Sequence, residues 1–176
     1  MNKLTKKKHF VGVDISKLTL DLSLAEEETF GRFIDTKIEN SIKVFDSILQ
    51  WLKKHKKKPE DCVFCMEHTG TYGLLFFAWL SQMGIDYCVE PGIHIKRSMG
   101  LTRGKNDKVD ARRIAEYACT NKIKLKTFCL PSTLIVKIKQ LLTYREQIIR
   151  IRTSLKNSLK SHEQYQKISG LTLVTE

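Results

Sequence analysis

The chain has 176 residues, with 31 Lys+Arg against 19 Asp+Glu and a formal net charge of +12. That length suits one ordinary core with one appendage rather than two full domains, and the positive excess favours phosphate-rich partners, nucleic acid first, through long-range attraction and counterion release. No apolar run is long enough to cross a bilayer, the basic start MNKLTKKKHF lacks the h-region and cleavage site of a signal peptide, and five cysteines without framework spacing fit reduced thiols, so a cytoplasmic protein with no membrane partner is expected.

HFVGVDISK reads as a short apolar strand rich in β-branched residues. It leads into LTLDLSL, where Leu18, Leu20, Leu22 and Leu24 alternate with Thr19, Asp21 and Ser23, the period of a half-buried strand. After the acidic turn AEEE, TFGRFIDTKI can supply a third strand, so an antiparallel meander is expected to open the fold. Asn40 is placed to N-cap a helix through SIKVFDSILQWLKKH, whose Ile42, Phe45, Ile48, Leu49 and Leu52 fall at helical spacing. Lys53, Lys54, Lys56, Lys57 and Lys58 gather where they complement its dipole, and Pro59 stops it.

CVFCME then reads as a buried strand, TYGLLFFAWLSQMG as a very apolar helix ending at Gly84, and IDYCVE as another strand; that order implies a parallel crossover. Cys62 and Cys65 form a C-x-x-C with His68 close behind, yet positions three apart on a strand face opposite sides, which favours packing over a zinc clip. Trp51 and Trp79 lie on apolar helices and read as core. PGIHIKRSMGLTRGKN is a basic, glycine-punctuated connection with about one helical turn, followed by a helix over 107–118. KLKTFCLP is a short strand or an extended connector.

From Ser132, a plausible N-cap, the pattern is helical to about 162, with Leu134, Leu141, Ile148 and Leu155 recurring every seventh residue and Tyr144 and Ile151 between them. A basic coiled-coil arm is expected, the alternative being a helix laid across the body through the wider stripe that includes Ile138, Leu142 and Ile149. The expected division is therefore a mixed α/β domain over 1–130 and a helical arm over 131–176.

RGKNDKVDARRIAEYA keeps two aspartates inside a basic run. On an ideal helix Asp107 lies on the apolar stripe of Ala111, Ile114, Ala115 and Ala118, with Asp110 at its edge. A carboxylate facing the protein body is costly to desolvate unless a cation or donors compensate it; an N-cap role for Asp107 and a dipole role for Asp110 are the plainer explanation. Two further acids matter. Asp14 sits inside the first apolar strand on the face of Gly12, and Glu67 ends CVFCME on the face of Val63 and Cys65, just before the small polar loop HTGTYG. In an α/β sheet the ends of adjacent parallel strands form one rim, where Asp14 and Glu67 could meet and the 107–118 helix could add its pair. Four acids in a small volume force protonation or recruit divalent cations, and oxygen ligands of this kind suit Mg²⁺ or Mn²⁺. Arg103, Lys105, Lys108, Arg112 and Arg113 are candidate contacts to a nucleic-acid backbone, or plain surface charges. Neither a P-loop nor a G-x-G-x-x-G occurs.

FVGVDISK, MEHTGTYG and VEPGIHIKRSMGLTRGKNDKVDARRIAEYA, with the long helix after them, closely resemble the N-terminal part of the DEDD transposases related to the Piv DNA invertases. The resemblance spans about 10–162. It implies a RuvC-like, RNase H-type domain whose four acids fall on Asp14, Glu67, Asp107 and Asp110, positioning Mg²⁺ for DNA strand cleavage and transfer. It further implies a nucleophilic serine in a separate C-terminal domain, of which 131–176 would be the start of the linker. It also implies a homo-oligomer assembled through the arm, and in some members a guide RNA. A stand-alone RuvC-like nuclease and a non-catalytic nucleic-acid-binding and dimerisation fragment are the competing readings.

Overall fold

The computed structural model describes residues 3–29, 31–68, 70–98 and 107–170, with Thr29, Asp107 and Lys108 described by backbone alone. Two compact units result, Met1–Leu130 and Pro131–Glu176. The first is built on a five-stranded sheet: β1 (His9–Ile15), β2 (Thr19–Glu26), β3 (Phe33–Glu39), β4 (Cys62–Glu67) and β5 (Tyr87–Glu90). Their order is β3-β2-β1-β4-β5, antiparallel across the first three strands and parallel from β1 to β4 and from β4 to β5. The expected meander and parallel crossover are both present.

Alternation along the strands sorts their side chains onto two faces. One face carries Val11, Val13, Leu20, Leu22, Leu24, Phe64 and Met66, and is covered by α1 (Asp46–Lys54) and α2 (Leu74–Gln82), which bring Ile48, Leu52, Phe76, Trp79 and Leu80 into that core. Trp79 is buried there and its indole N–H donates to Asp46 Oδ1 at 3.1 Å, so it is core as read. The other face carries Phe10, Val63, Cys65 and Cys88, packed with Ile95 of α3 (Gly92–Ser98) and Ile114, Tyr117 and Ala118 of α4 (Asp107–Thr120). Cys62 and Cys65 accordingly belong to opposite cores, and burial pushes the Cys62 thiol up to about 12, the state of a packed, inert sulfur.

Two local readings differ from the structure. Strand β2 is buried on both faces rather than half-buried: Asp21 and Ser23 are buried as fully as the leucines, because α4 roofs the polar face. Helix α1 starts at Asp46, not after Asn40; residues 42–45 form turns, and the Asn40 amide instead donates to Ser16 O at 2.9 Å and Tyr72 O at 3.1 Å, tying two loops together. KLKTFCLP forms no strand; its Phe128 N–H donates once to Tyr87 O, hanging the segment beside β5.

The second unit is α5 (Thr133–Ser169), a single helix without a buried residue. It runs past the expected end to Gly170, whose φ of 67° closes the helix in the left-handed conformation glycine adopts without penalty. Leu134, Leu141, Ile148 and Leu155 are all more than half exposed along it.

Candidate active site at the ends of β1 and β4

The position of α4 follows from Gly12. A Cβ there would lie 2.2 Å from both Ala111 O and Ala115 N, so only a residue without a side chain lets the helix backbone rest directly on β1. Arg112 bonds Asp35, which sits level with Gly12 across the register Gly12↔Ser23↔Asp35, whereas Lys122, just beyond the helix, bonds Glu27 past the far end of β1. Helix α4 therefore runs antiparallel to β1, and its first turn lies toward Asp14. Four residues of helix before Ala111 span about 6 Å, and two residues of strand beyond Gly12 span about 6.6 Å, so the Asp107 backbone starts the helix level with Asp14.

At that level the sheet carries one lateral row. Lys37 pairs in register with Asp21, and Asp21 with Asp14. Asp14 and Glu67 are each the residue after the last β1/β4 pair, Val13↔Met66, and Glu67 pairs with Glu90 of β5. Partners in register share a face, so four carboxylates and one lysine cross the sheet on the side roofed by α4. Like charges directly opposed across strands are destabilising. Lys37 Nζ at 2.9 Å from Asp21 Oδ2 offsets one of them, and the Tyr117 hydroxyl donates to Glu90 Oε2 at 3.3 Å with His94 Nδ1 at 3.5 Å from the same oxygen. Burial, with Glu90 beside it, pushes Tyr117 up to about 12, so its hydroxyl remains a donor across the physiological range.

Glu67 is seated by a second close approach. A Cβ on Gly92, the first residue of α3, would fall 1.9 Å from Glu67 Oε1. Glycine at 92 thus leaves the space that the carboxylate occupies.

The predicted residues are distributed as follows. Asp14 and Glu67 stand side by side on adjacent parallel strands, as the rim argument expected. Asp110 is on the first turn of α4, its carboxylate 3.1 Å from Arg113 Nη1. Asp107 opens that helix, with its side chain outside the described residues, as is that of Lys108. Arg103 and Lys105 lie outside the described residues altogether. Arg112 is committed to Asp35 and lies over the Phe33 ring at 5.7 Å. Among the described residues no three His, Cys, Asp or Glu side chains are gathered to hold a metal ion. The predicted acids at this end of the sheet offer carboxylate oxygens, a hard set that fits Mg²⁺ or Mn²⁺ rather than zinc or copper.

Sequence reasoning missed Asp21, Glu90 and both glycines. Asp21 falls on the polar phase of a strictly alternating strand and reads as solvent-facing. Glu90 ends its strand as Glu67 does, and that parallel was the one available signal.

A family model described as Transposase, that of the IS110-type DEDD transposases, matches residues 11–164. The chain belongs to this DEDD transposase family. No curated protein matches the transposase chain. Among solved structures it is similar to "T. thermophilus RuvC in complex with Holliday junction substrate", at 10% identity and a TM-score of 0.51 over 69% of this chain and 99% of that one. A second Thermus thermophilus RuvC structure aligns at 11% identity and a TM-score of 0.48 over 68% and 99%. The first likeness makes the fold RuvC-like, that is RNase H-like, with a mixed sheet and flanking helices. No described helix is long and apolar enough to cross a membrane.

Proposed function

We propose that residues 1–130 are the catalytic domain of a DNA transposase or site-specific recombinase that cleaves and transfers DNA strands with Mg²⁺ or Mn²⁺. The observation that carries this reading is the lateral row: Asp14 and Glu67 on adjacent parallel strands, under the helix that begins with Asp107 and Asp110. In this reading Asp14, Glu67, Asp107 and Asp110 hold the cation, which when bound polarises a phosphoryl oxygen and makes the attacking oxygen more acidic.

The chain's own residues prepare that site. Gly12 sets the height of α4 over the strand, and Gly92 leaves the pocket in which Glu67 sits. Lys37 pairs with Asp21, and Tyr117 donates to Glu90 with His94 beside the same oxygen, so these two flanking acids are held in place by the chain itself. Arg113 holds Asp110 across one helical turn and must yield or share that carboxylate when a cation binds. The net charge of +12 draws DNA to the surface around the acids.

In the complete enzyme a serine of a C-terminal domain would supply the nucleophile, with α5 leading toward it. The exposed seven-residue repeat on α5 supports assembly with a second copy of the chain. A guide RNA, as in some members of the family, is compatible with the same basic surface. Asp14→Asn and Glu67→Gln in the complete enzyme should each lower metal-dependent cleavage at least a hundredfold with the melting temperature retained. Wild-type cleavage by either would refute the assignment.

A second reading is favoured by one observation, the pairing of Asp110 with Arg113 in the absence of any gathered metal cluster among the described residues. In it the 176 residues bind nucleic acid and dimerise, and the acids serve only the helix termini. Salt-sensitive DNA binding that is indifferent to Mg²⁺ and Mn²⁺, together with undiminished cleavage by the Asp14 variant, is its signature.

A further inference from the structure

Beyond the acid row the first unit has an open groove of about 630 Å³ between the end of β5, α3 and the chain that follows α4. Its wall carries Arg97, Lys124 and Lys126, all exposed, and its inner end carries Glu90, His94 and Tyr117. Lys3, Lys7, Lys37, Lys57, Arg113 and Lys122 are each paired with a carboxylate, while among the described residues Arg97, Lys124 and Lys126 are in no ion pair. Lys124 and Lys126 flank the buried Leu125, and both are exposed. Among the described residues Glu90 is the one carboxylate lining the groove, and Tyr117 and His94 already engage it.

We propose that this groove seats the sugar-phosphate backbone of a DNA strand and leads it to the acid row. Three separated cations along an open channel suit successive phosphates of one chain; a single free phosphate would need its donors converging on one point. The groove also starts where the row ends, since Glu90 pairs in register with Glu67. A strand lying across Arg97, Lys124 and Lys126 therefore arrives at Glu67 and Asp14. The proposal rests on the functional reading above and assigns to it a backbone track made of residues outside the arginine- and lysine-rich run at 103–113.

The test is fluorescence anisotropy of a labelled single-stranded 20-mer and its duplex across a salt series. Three proteins are compared: the full 176-residue chain, the triple variant Arg97→Gln, Lys124→Gln, Lys126→Gln, and a charge-matched control, Lys43→Gln, Lys53→Gln, Lys54→Gln, altered on exposed positions around α1. The groove variant should lose about tenfold or more in single-strand affinity, and its log–log salt slope should fall by about 2, near 0.7 per lost phosphate contact. The control should lose markedly less. Equal losses in the two variants, or none in either, would overturn the groove while leaving the functional reading standing. Inorganic phosphate competing as well as the oligonucleotide at equal phosphate would also overturn it, as a single-phosphate site. Failure of the wild-type chain to bind either DNA at low salt would remove both the groove and the DNA-binding part of the functional reading. Retained cleavage by Asp14→Asn in the complete enzyme would remove the catalytic reading and leave the track intact.

Discussion

Gly12 of β1 lies directly beneath Ala115 of α4, with 2.2 Å between the Cβ that Gly12 lacks and the Ala115 backbone nitrogen. The obstacle is backbone, which cannot rotate away, so Gly12→Ala must lift or tilt the helix that carries Asp107 and Asp110. We expect a loss of about 1–3 kcal/mol, the usual range for forcing extra volume into a packed core, with a melting temperature lower by about 2–4 °C per kcal/mol. Thermal and urea unfolding followed by circular dichroism measure this, and an unchanged midpoint would mean that α4 is not seated on β1.

Gly92→Ala acts on the site rather than on the core. The new methyl group would collide with the Glu67 carboxylate, the far end of a flexible side chain on the last residue of β4, so the fold should tolerate it. The expected outcome is a melting temperature within a few degrees of wild type and metal-dependent cleavage by the complete enzyme reduced about tenfold or more. Unaltered cleavage would show that the seat of Glu67 is irrelevant to the chemistry.

Asp86 anchors the N-terminal segment through Lys3 Nζ at 2.9 Å and Lys7 Nζ at 2.8 Å. Burial acts to raise its carboxyl, but the bonds from Lys7 and Lys3 outweigh burial and hold it below the usual carboxylate range. A depressed carboxyl contributes stability above its unfolded value, about 3.9, and that contribution fades as pH falls through the lower folded value. Asp86→Asn should therefore cost about 2 kcal/mol at pH 7, a typical worth for hydrogen bonds to charged groups. The gap from wild type should close below about pH 4. Urea midpoints from pH 7 to pH 3 give the comparison; a gap that stayed constant through the acid limb would refute the pairing.

The apolar heptad of α5 calls for a partner of its own kind. Leu141→Glu combined with Ile148→Glu should shift the 176-residue chain from dimer or higher to monomer in sedimentation equilibrium while leaving helicity nearly unchanged. A wild-type chain that is monomeric at high concentration would remove the arm from the assembly account.

The legible parts of this molecule were those whose signal is local. HFVGVDI and CVFCME are strands by run length and branching, and if the two lie adjacent and parallel, as β1 and β4 do, Asp14 and Glu67 fall at one rim. The stop of α5 at Gly170 was missed by several residues because the heptad ends at Leu155 while a helix needs only the absence of a breaker to continue. Asp21 was illegible for a different reason. Its alternation with leucine describes one face of β2 correctly but says nothing of what covers the other, and the covering helix lies more than eighty residues downstream. Asn40 misled in the same way, since a good cap residue was claimed instead by two distant carbonyls, Ser16 and Tyr72. The space that Gly12 and Gly92 leave is likewise a property of pairs of segments, invisible in either one.

The central claim is that the row at the ends of β1 and β4, with the first turn of α4, captures a divalent cation. Crystals soaked in Mn²⁺ and measured at the manganese absorption edge address it directly. The account predicts an anomalous peak about 2.0–2.3 Å from carboxylate oxygens of both Asp14 and Glu67, lost in the Asp14→Asn crystal. Ordered Asp14 and Glu67 side chains with no peak between them, at a Mn²⁺ concentration that supports cleavage by the complete enzyme, would contradict it.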